Sequence, residues 1–267
     1  MSENFVALIT GASSGIGEAV ARRTASEPGA QLVLVARRGE RLERLARELG
    51  GGLTIAADLT DPDAPAAIHA RVQAEFGCLH FLVNNAGAAW RGTFADTGWV
   101  NIERHMRLNF EAPVRLTEAL LPLLRSTAAA SPARQVSIVN VASTAGRVSR
   151  PGSGAYSASK FALAGWSDAL AAEEAAHRVH VGLVLPGFVA TEGFPAVELK
   201  AKALTRWMVS EPAGVAAAIL QAGPGGRAER YVPRYYWLAA AMRILAPALV
   251  RRAVAGGALT TKTGSDD

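Results

Sequence analysis

Apolar residues fall in short unbroken runs along this chain, separated by stretches in which apolar and polar positions recur with a helical period. FVALIT (5–10), QLVLV (31–35), LTIAA (53–57), FLVN (81–84), VSIVNV (136–141) and VHVGLVL (179–185) read as strands, rich in Val, Ile and Leu. Between them GERLERLAREL (39–49) sets Leu42, Leu45 and Leu49 on one stripe of a helix. A strand that is apolar at nearly every position must be covered on both faces, and strands that alternate with helices pair in parallel. The pattern predicts a single doubly wound α/β domain over residues 1–233, with residues 234–267 as a basic, apolar extension packed on or beside it. No internal repeat, low-complexity tract or long linker divides it further.

Composition agrees with a packed domain. Half of the 267 residues are hydrophobic and 19% are charged, which leaves little room for disorder outside the termini. Cys78 is the only cysteine, so an internal disulfide and a cysteine-based zinc site are excluded. The start, MSENFVALITGA, places no basic segment before its apolar run and argues against a secretory leader; the expectation is a cytoplasmic protein. The net charge of +5 is uneven, because residues 225–267 carry seven Lys/Arg against three acids. That is a local basic tail rather than a nucleic-acid groove. The five histidines (His69, His80, His105, His177, His180) lack metal-ligand spacing and read as surface or helix-end residues, so no metal is expected. Neither a G-x-S-x-G elbow nor a G-x-x-x-x-G-K phosphate loop occurs.

The first strand runs straight into T10-G-A-S-S-G-I-G17, and a helix follows. Glycines there let the backbone turn tightly against a pyrophosphate, while the helix N-terminus offers amide donors and a positive dipole. At the end of the second strand, where an acid would accept the ribose hydroxyls of NAD, the chain has Ala36 followed by Arg37 and Arg38. Guanidinium groups pair with phosphate through charge-assisted bonds, so this end favours the 2′-phosphate of NADP(H), with NAD(H) the lesser alternative.

Tyr156 and Lys160 lie four apart, on one face of an alanine-rich helix that follows a glycine-rich turn. Converting a carbonyl to an alcohol needs hydride on carbon and a proton on oxygen. A phenol with a pKa of about 10 can exchange that proton near neutral pH only if its anion is stabilised. An ammonium one turn away and an oxidised nicotinamide both do so. Ser143, at the end of the fifth strand, is placed to hydrogen-bond the substrate oxygen.

Taken in order and spacing, T10-G-A-S-S-G-I-G17, N84-N-A-G87, Ser143, Y156-S-A-S-K160 and P186-G-F-V-A-T191 resemble the short-chain dehydrogenase/reductase family over roughly residues 5 to 195. The resemblance implies a Rossmann-type fold and a homodimer or homotetramer. It implies that Gly11, Ser13, Ser14, Gly15, Ile16 and Gly17 cradle the cofactor, with Arg37 and Arg38 at the ribose phosphate. Asp58 and Leu59 would hold the adenine, and Asn85, Ala86 and Gly87 would line the cofactor. Pro186, Gly187, Val189 and Thr191 would close over the nicotinamide. Ser143, Tyr156 and Lys160 would be catalytic, Lys160 also bonding the nicotinamide ribose, and Asn109 would hold a water relay to the lysine. Other classes fit less well. A non-catalytic NADP sensor would be expected to have lost one of these residues. A sugar-nucleotide epimerase would carry T-G-x-x-G-x-x-G and a larger C-terminal region.

Substrate choice is expected to rest on the segment after Thr191 and on the C-terminus, both poor in charged pairs. Phe188, Phe194, Trp207 and Met208 suggest an apolar wall, hence a lipophilic ketone, aldehyde or alcohol. In YYWLAAAMRILAPALV (235–250), Leu238, Met242, Leu245 and Leu249 form one helical stripe, too short to span a bilayer. With its basic neighbours, the segment 235–252 reads as a helix at a membrane surface, a lid on the cleft or a subunit contact.

Overall fold

The computed structural model describes residues 4–192 and 208–255. The six apolar runs form six strands: β1 (Phe5–Thr10), β2 (Ala30–Ala36), β3 (Leu53–Ala56), β4 (Phe81–Asn84), β5 (Val136–Val141) and β6 (Val179–Pro186). Three more follow, β7 (Phe188–Val189), β8 (Val209–Ser210) and β9 (Glu229–Val232). The main sheet is parallel throughout, in the order β3-β2-β1-β4-β5-β6-β9, while β7 and β8 pair separately. The sequence reading missed β9 because ERYV, half-exposed at the sheet edge, presents no apolar run.

The helices are α1 (Gly15–Thr24), α2 (Gly39–Glu48), α3 (Ala64–Phe76), α4 (Phe94–Met106), α5 (Ala112–Ala130), α6 (Gly154–Glu174), α7 (Pro212–Ala222), α8 (Tyr236–Leu245) and α9 (Pro247–Ala255). Alternation along β1 shows why its run is continuous. Phe5, Ala7 and Ile9 enter a core shared with α1, α2 and α7, while Val6 and Leu8 enter a second core shared with α3, α5 and α6. A fully buried Leu or Ile contributes about 1.5–3 kcal/mol, and β1 supplies both layers. The stripe expected on α2 holds: Leu42 and Leu45 are buried and Leu49 packs beside them.

From β1 the strand order runs outward to β3, then reverses to β4, β5 and β6. The crevice of a doubly wound sheet opens at this reversal, beyond the carboxyl ends of the strands. Thr10 and Asn84 stand on its two sides, and the motif residues follow them.

Candidate active site

Thr10 joins the two loops of the crevice. Its hydroxyl donates to Val83 O (3.1 Å) and accepts from the amides of Asn85 (2.9 Å) and Ala86 (3.0 Å), while Asn85 Nδ2 donates to Thr10 O (2.9 Å). Asn85, Ala86 and Gly87 are thereby held against Gly11. A Cβ on Gly17 would overlap the Gly11 carbonyl, so the first turn of α1 can approach the loop only as glycine. Ser14 is the extended N-cap of α1 and makes no side-chain cap bond; its hydroxyl instead accepts from Arg38 Nη2 at 2.7 Å.

At the outer end of the turn, Arg38 donates to Ser13 Oγ (3.2 and 3.1 Å) and to Glu192 (3.1 Å), and Arg41 donates to the same carboxylate at 2.8 and 2.9 Å. These guanidiniums hold the Glu192 carboxyl below its ordinary range. Two cations thus converge on one anion beside Ser13 and Ser14. The sequence reading named Arg37 and Arg38; Arg38 is the one at the turn, whereas the charge of Arg37 acts on Asp58. Arg41, one turn into α2, was not singled out. Asp58 accepts from the Thr60 amide (2.9 Å) and hydroxyl (2.8 Å), which lower its pKa, and Leu59 beside it is buried.

The segment after β6 folds back over this turn. Thr191 carbons lie 3.1 and 3.3 Å from where a Cβ on Gly15 would stand. β7, with Phe188 and buried Val189, pairs with β8, and Pro186 O accepts from Ser143 Oγ at 3.3 Å.

Ser143, Tyr156, Lys160 and Asn109 converge at the carboxyl end of β5. Ser143 caps the short 3-10 turn Thr144–Gly146, its Oγ accepting from the Ala145 amide at 3.1 Å, and hydrogen-bonds the Tyr156 phenol. Lys160 is 4% exposed and donates to Val141 O at 2.9 Å; burial lowers its pKa to about 8. Burial raises the pKa of Tyr156, against the pull of the Ser143 bond and of the cations Arg91 and Arg150. The sequence reading looks to Lys160 and the nicotinamide for that pull. In this structure the ammonium donates to the Val141 carbonyl, 6.0 Å from the Tyr156 ring centroid, and the two arginines add a pull of their own.

Asn109 sits in a π-helical turn, Arg107–Glu111, between α4 and α5, a distortion frequent at functional sites. Its side chain accepts from the Ala88 amide (3.0 Å) and donates to Ala88 O (2.9 Å) and Ser159 Oγ (3.1 Å). A Cβ on Gly87 would meet Asn109 Oδ1 at 2.8 Å and Lys160 Nζ at 3.5 Å, so the missing side chain brings the two together.

These groups open into one cleft of about 350 Å³. Ile16, Asn85, Gly87 and Thr191 line it on the side of the glycine turn. Phe188, Met208, Tyr231, Tyr236, Ala239 and Ala240 form an apolar wall on the other. Phe194 and Trp207, named with Phe188 and Met208 from sequence, lie outside the described residues. α8 roofs the cleft with the face opposite to the expected stripe. Tyr236 packs against Gly187, where a Cβ would overlap its ring, and bonds Met208 O at 3.2 Å. Leu238, Met242, Leu245 and Leu249 instead point outward, 51%, 39%, 79% and 59% exposed.

Other cleft residues escaped the sequence reading. Arg91, Arg147 and Arg150 reach the cleft from loops beside N84-N-A-G87 and before Tyr156, and adjacency to those motifs was the available signal. The histidine expectation fails at His80, which is buried just before β4, while His105 stands in the last turn of α4 and is buried there. His105 accepts from the Trp90 amide (3.0 Å), its Nδ1 lies 2.6 Å from Asn101 O, and its ring stands edge-on to Tyr156 at 6.1 Å. Burial lowers its pKa. Among the described residues no group of His, Cys, Asp and Glu is placed to hold a metal ion.

Comparison with known proteins places this geometry. The family model described as short chain dehydrogenase matches residues 5–201. Dehydrogenase/reductase SDR family member 7B of Bos taurus is 37% identical over 198 residues, covering 70% of this chain and 59% of the relative. The Mus musculus protein of that name is 38% identical over 197 residues, 70% of this chain and 58% of the relative. The match therefore spans about three-fifths of these relatives' length. Among solved structures, a short-chain dehydrogenase from Streptomyces avermitilis superposes with a TM-score of 0.76 at 29% identity, covering 97% of this chain and 100% of that one. A 3-ketoacyl-(acyl-carrier-protein) reductase from Brucella melitensis, complexed with NADH, gives 0.74 at 32% identity, covering 84% and 93%. A Pseudomonas aeruginosa RhlG/NADP active-site complex gives 0.74 at 28% identity, covering 83% and 90%. With its doubly wound parallel sheet and this match, the chain belongs to the short-chain dehydrogenase/reductase family of NAD(P)-dependent oxidoreductases.

Proposed function

We propose that this protein is an NADP(H)-dependent oxidoreductase interconverting a ketone or aldehyde with an alcohol, with Tyr156 as the general acid/base. The observation that carries the reading is the Tyr156 phenol bonded to Ser143 in the cleft, with buried Lys160 one helical turn behind it. The chain's residues fit the cofactor. The glycine cradle admits no side chain at Gly17, and Arg38 with Arg41 already holds an anion, the Glu192 carboxylate, where the ribose phosphate would lie. When bound, the reduced nicotinamide supplies a hydride to the carbonyl carbon. Ser143 donates a hydrogen bond to the carbonyl oxygen and Tyr156 gives it a proton; oxidation runs the same steps backward. Lys160 bonds the nicotinamide ribose and steadies the phenolate, and Asn109, fixed against Ala88, carries the water relay to it. Asp58 and Leu59 bound the adenine, and Pro186, Gly187, Val189 and Thr191 close over the nicotinamide.

The apolar wall favours a lipophilic substrate. A reductase of 3-ketoacyl chains among the similar structures is in keeping with that. In this reading residues 234–255 roof a catalytic domain that ends near residue 233, and the chain assembles as a homodimer or homotetramer. Four arginines and no acid stand between Pro233 and Ala255, and Trp237, Leu238, Ile244, Leu245 and Leu249 are exposed, so the outward face suits an anionic membrane surface. Following NADPH absorbance with a panel of carbonyls, and NADP reduction with the matching alcohols, tests the activity. Turnover of no member by wild type, with NADPH bound, would refute it.

A further inference from the structure

Beyond the kink at Gly98, Asn101, His105 and Asn109 recur every four residues along α4 and the π-helical turn, so they share one face. All three are buried, and together they hold the backbone of the loop after β4, residues 88–92. Asn109 accepts from the Ala88 amide and donates to the Ala88 carbonyl. His105 accepts from the Trp90 amide at 3.0 Å, and Asn101 Nδ2 reaches the Trp90 carbonyl at 3.4 Å. At the far end a Cβ on Gly92 would overlap the Thr97 side chain, and the Gly92 amide donates to Gly152 O (2.9 Å), in the turn before α6. Ala88, Ala89 and Arg91 of this loop line the cleft together with Tyr156.

Of the three holding side chains only His105 can change its charge. Its Nδ1 lies 2.6 Å from the Asn101 carbonyl, which can only accept, so Nδ1 carries the proton. Its Nε2 faces the Trp90 N–H, which can only donate, so Nε2 carries the lone pair. A second proton would set N–H against N–H. The ring is fully buried, edge-on to Trp90 at 4.9 Å and to Tyr156 at 6.1 Å between centroids. The charges acting on it are Arg104, which lies over the Trp90 ring at 4.4 Å, and Lys160 of α6. Both disfavour the imidazolium, as burial does. The loop contributes Arg91, while Glu103 and Arg107 pair with each other on the exposed side of the helix.

We propose that His105 is a positioning residue for the acid/base step: the neutral Nδ1–H imidazole fixes the loop 88–92 and the Tyr156 ring against one another, and protonation releases the loop. Its catalytic meaning rests on the oxidoreductase reading, whereas its hold on the loop does not. Burial keeps the His105 pKa below the ordinary 6.5, so the hold is complete at neutral pH and fails as pH falls through a value under 6.5. Tyr156 as proton donor stays protonated over that range, so carbonyl reduction owes its acid limb to His105.

The first test needs neither variant nor substrate. Imidazole 15N shifts of the full wild-type chain should show the Nδ1–H tautomer at pH 7 and a titration of His105 below pH 6.5. The Trp90 amide should lose about ten-fold of its protection from deuterium exchange, relative to its intrinsic rate, as His105 titrates. An Nε2–H tautomer, a titration at or above 6.5, or protection unchanged by that titration overturns the proposal. Turnover reads the consequence. His105→Leu, which leaves the Trp90 amide without an acceptor, should lower kcat about ten-fold with KM for NADPH within about two-fold. His105→Gln, whose side-chain carbonyl can take the Trp90 amide, should recover most of kcat and abolish the acid limb. Equal losses in the two variants, or an acid limb kept in His105→Gln, would reduce His105 to packing and overturn the proposal. Should His105→Leu not fold, His105→Gln and the wild-type measurements decide alone. Turnover of no carbonyl by wild type, with the Trp90 amide protected as expected, would instead refute the oxidoreductase reading and leave the hold on the loop standing.

Discussion

The two sides of the cleft are built by different means. The side proposed to take the cofactor is made at strand ends, where Thr10, Asn85 and the glycine turn are bonded to one another within a few residues of β1 and β4. The side proposed to take the substrate is assembled from distant pieces: a loop after β4, the approach to α6, β7, and a helix that arrives after residue 235. The first is rigid because backbone groups hold it and side-chain overlap leaves no slack. The second is held by ring packing and by cations, so it can vary without disturbing the sheet. On the proposed reading, chemistry is thus anchored to the geometry of strand ends, and selectivity is left to the attached elements.

The sharpest break of this contrast comes at Tyr156, where both sides meet. Tyr156→Phe keeps the ring and should leave NADPH affinity within a few-fold while turnover falls by about 10²–10⁴. Stopped-flow binding and steady-state rates read the two separately, and near-native turnover would undo the acid/base assignment.

Lys160 tests whether the cofactor side is strained by its own charge. Its pKa in the fold is about 8, below an ordinary 10.5, so the unfolded chain holds more protons between those values. The burden on stability is therefore full below about pH 8 and fades as pH rises toward 10.5. Lys160→Met should be more stable than wild type at pH 7 by up to about 3 kcal/mol, less about 1 kcal/mol for the lost bond to Val141 O. The gap should close by pH 10 in denaturant titrations, and turnover should be lost. A variant less stable than wild type at pH 7 would show that the ammonium is adequately paired.

Arg38 measures the outer end of the cofactor side. Arg38→Ala should weaken NADPH by about 1.5–3 kcal/mol, ten- to a hundred-fold, and NADH little. Arg37→Ala, expected from sequence to do the same, should have the smaller effect, since Arg37 acts on Asp58. Glu192→Gln should tighten NADPH a few-fold, because the carboxylate competes for the two arginines. Titration of both nucleotides checks all three, and equal or tighter NADH binding by wild type would reverse the cofactor preference.

The smallest effect concerns the roof. Each arginine near an anionic surface contributes about 1 kcal/mol, and salt screens it. The protein should float with anionic vesicles at low salt, less at high salt, and weakly with neutral ones. Arg251→Gln with Arg252→Gln should reduce flotation several-fold. Indifference to lipid charge and salt would leave the outward face of α8 to a subunit contact.

The fold was legible because a parallel strand covered on both faces has to be apolar throughout, and six such runs are local facts of the chain. The glycine turn, N84-N-A-G87 and the Tyr156/Lys160 pair were legible for a similar reason: their function is set by spacing within one element or one loop. β9 was not, because ERYV is half-exposed and presents no apolar run. Nor could periodicity tell which face of α8 is inward. The leucine stripe left a lid, a membrane surface and a subunit contact open, and Tyr236, fitted against Gly187, turns the leucines to solvent. The same holds for charge. Arg91 and Arg150 are 59 positions apart and ordinary in sequence; only the packing of two loops against α6 makes them neighbours of Tyr156. Local spacing determined the sheet and the cofactor motifs, whereas the tertiary structure decided which distant charges share the cleft, because electrostatic coupling depends on distance in space.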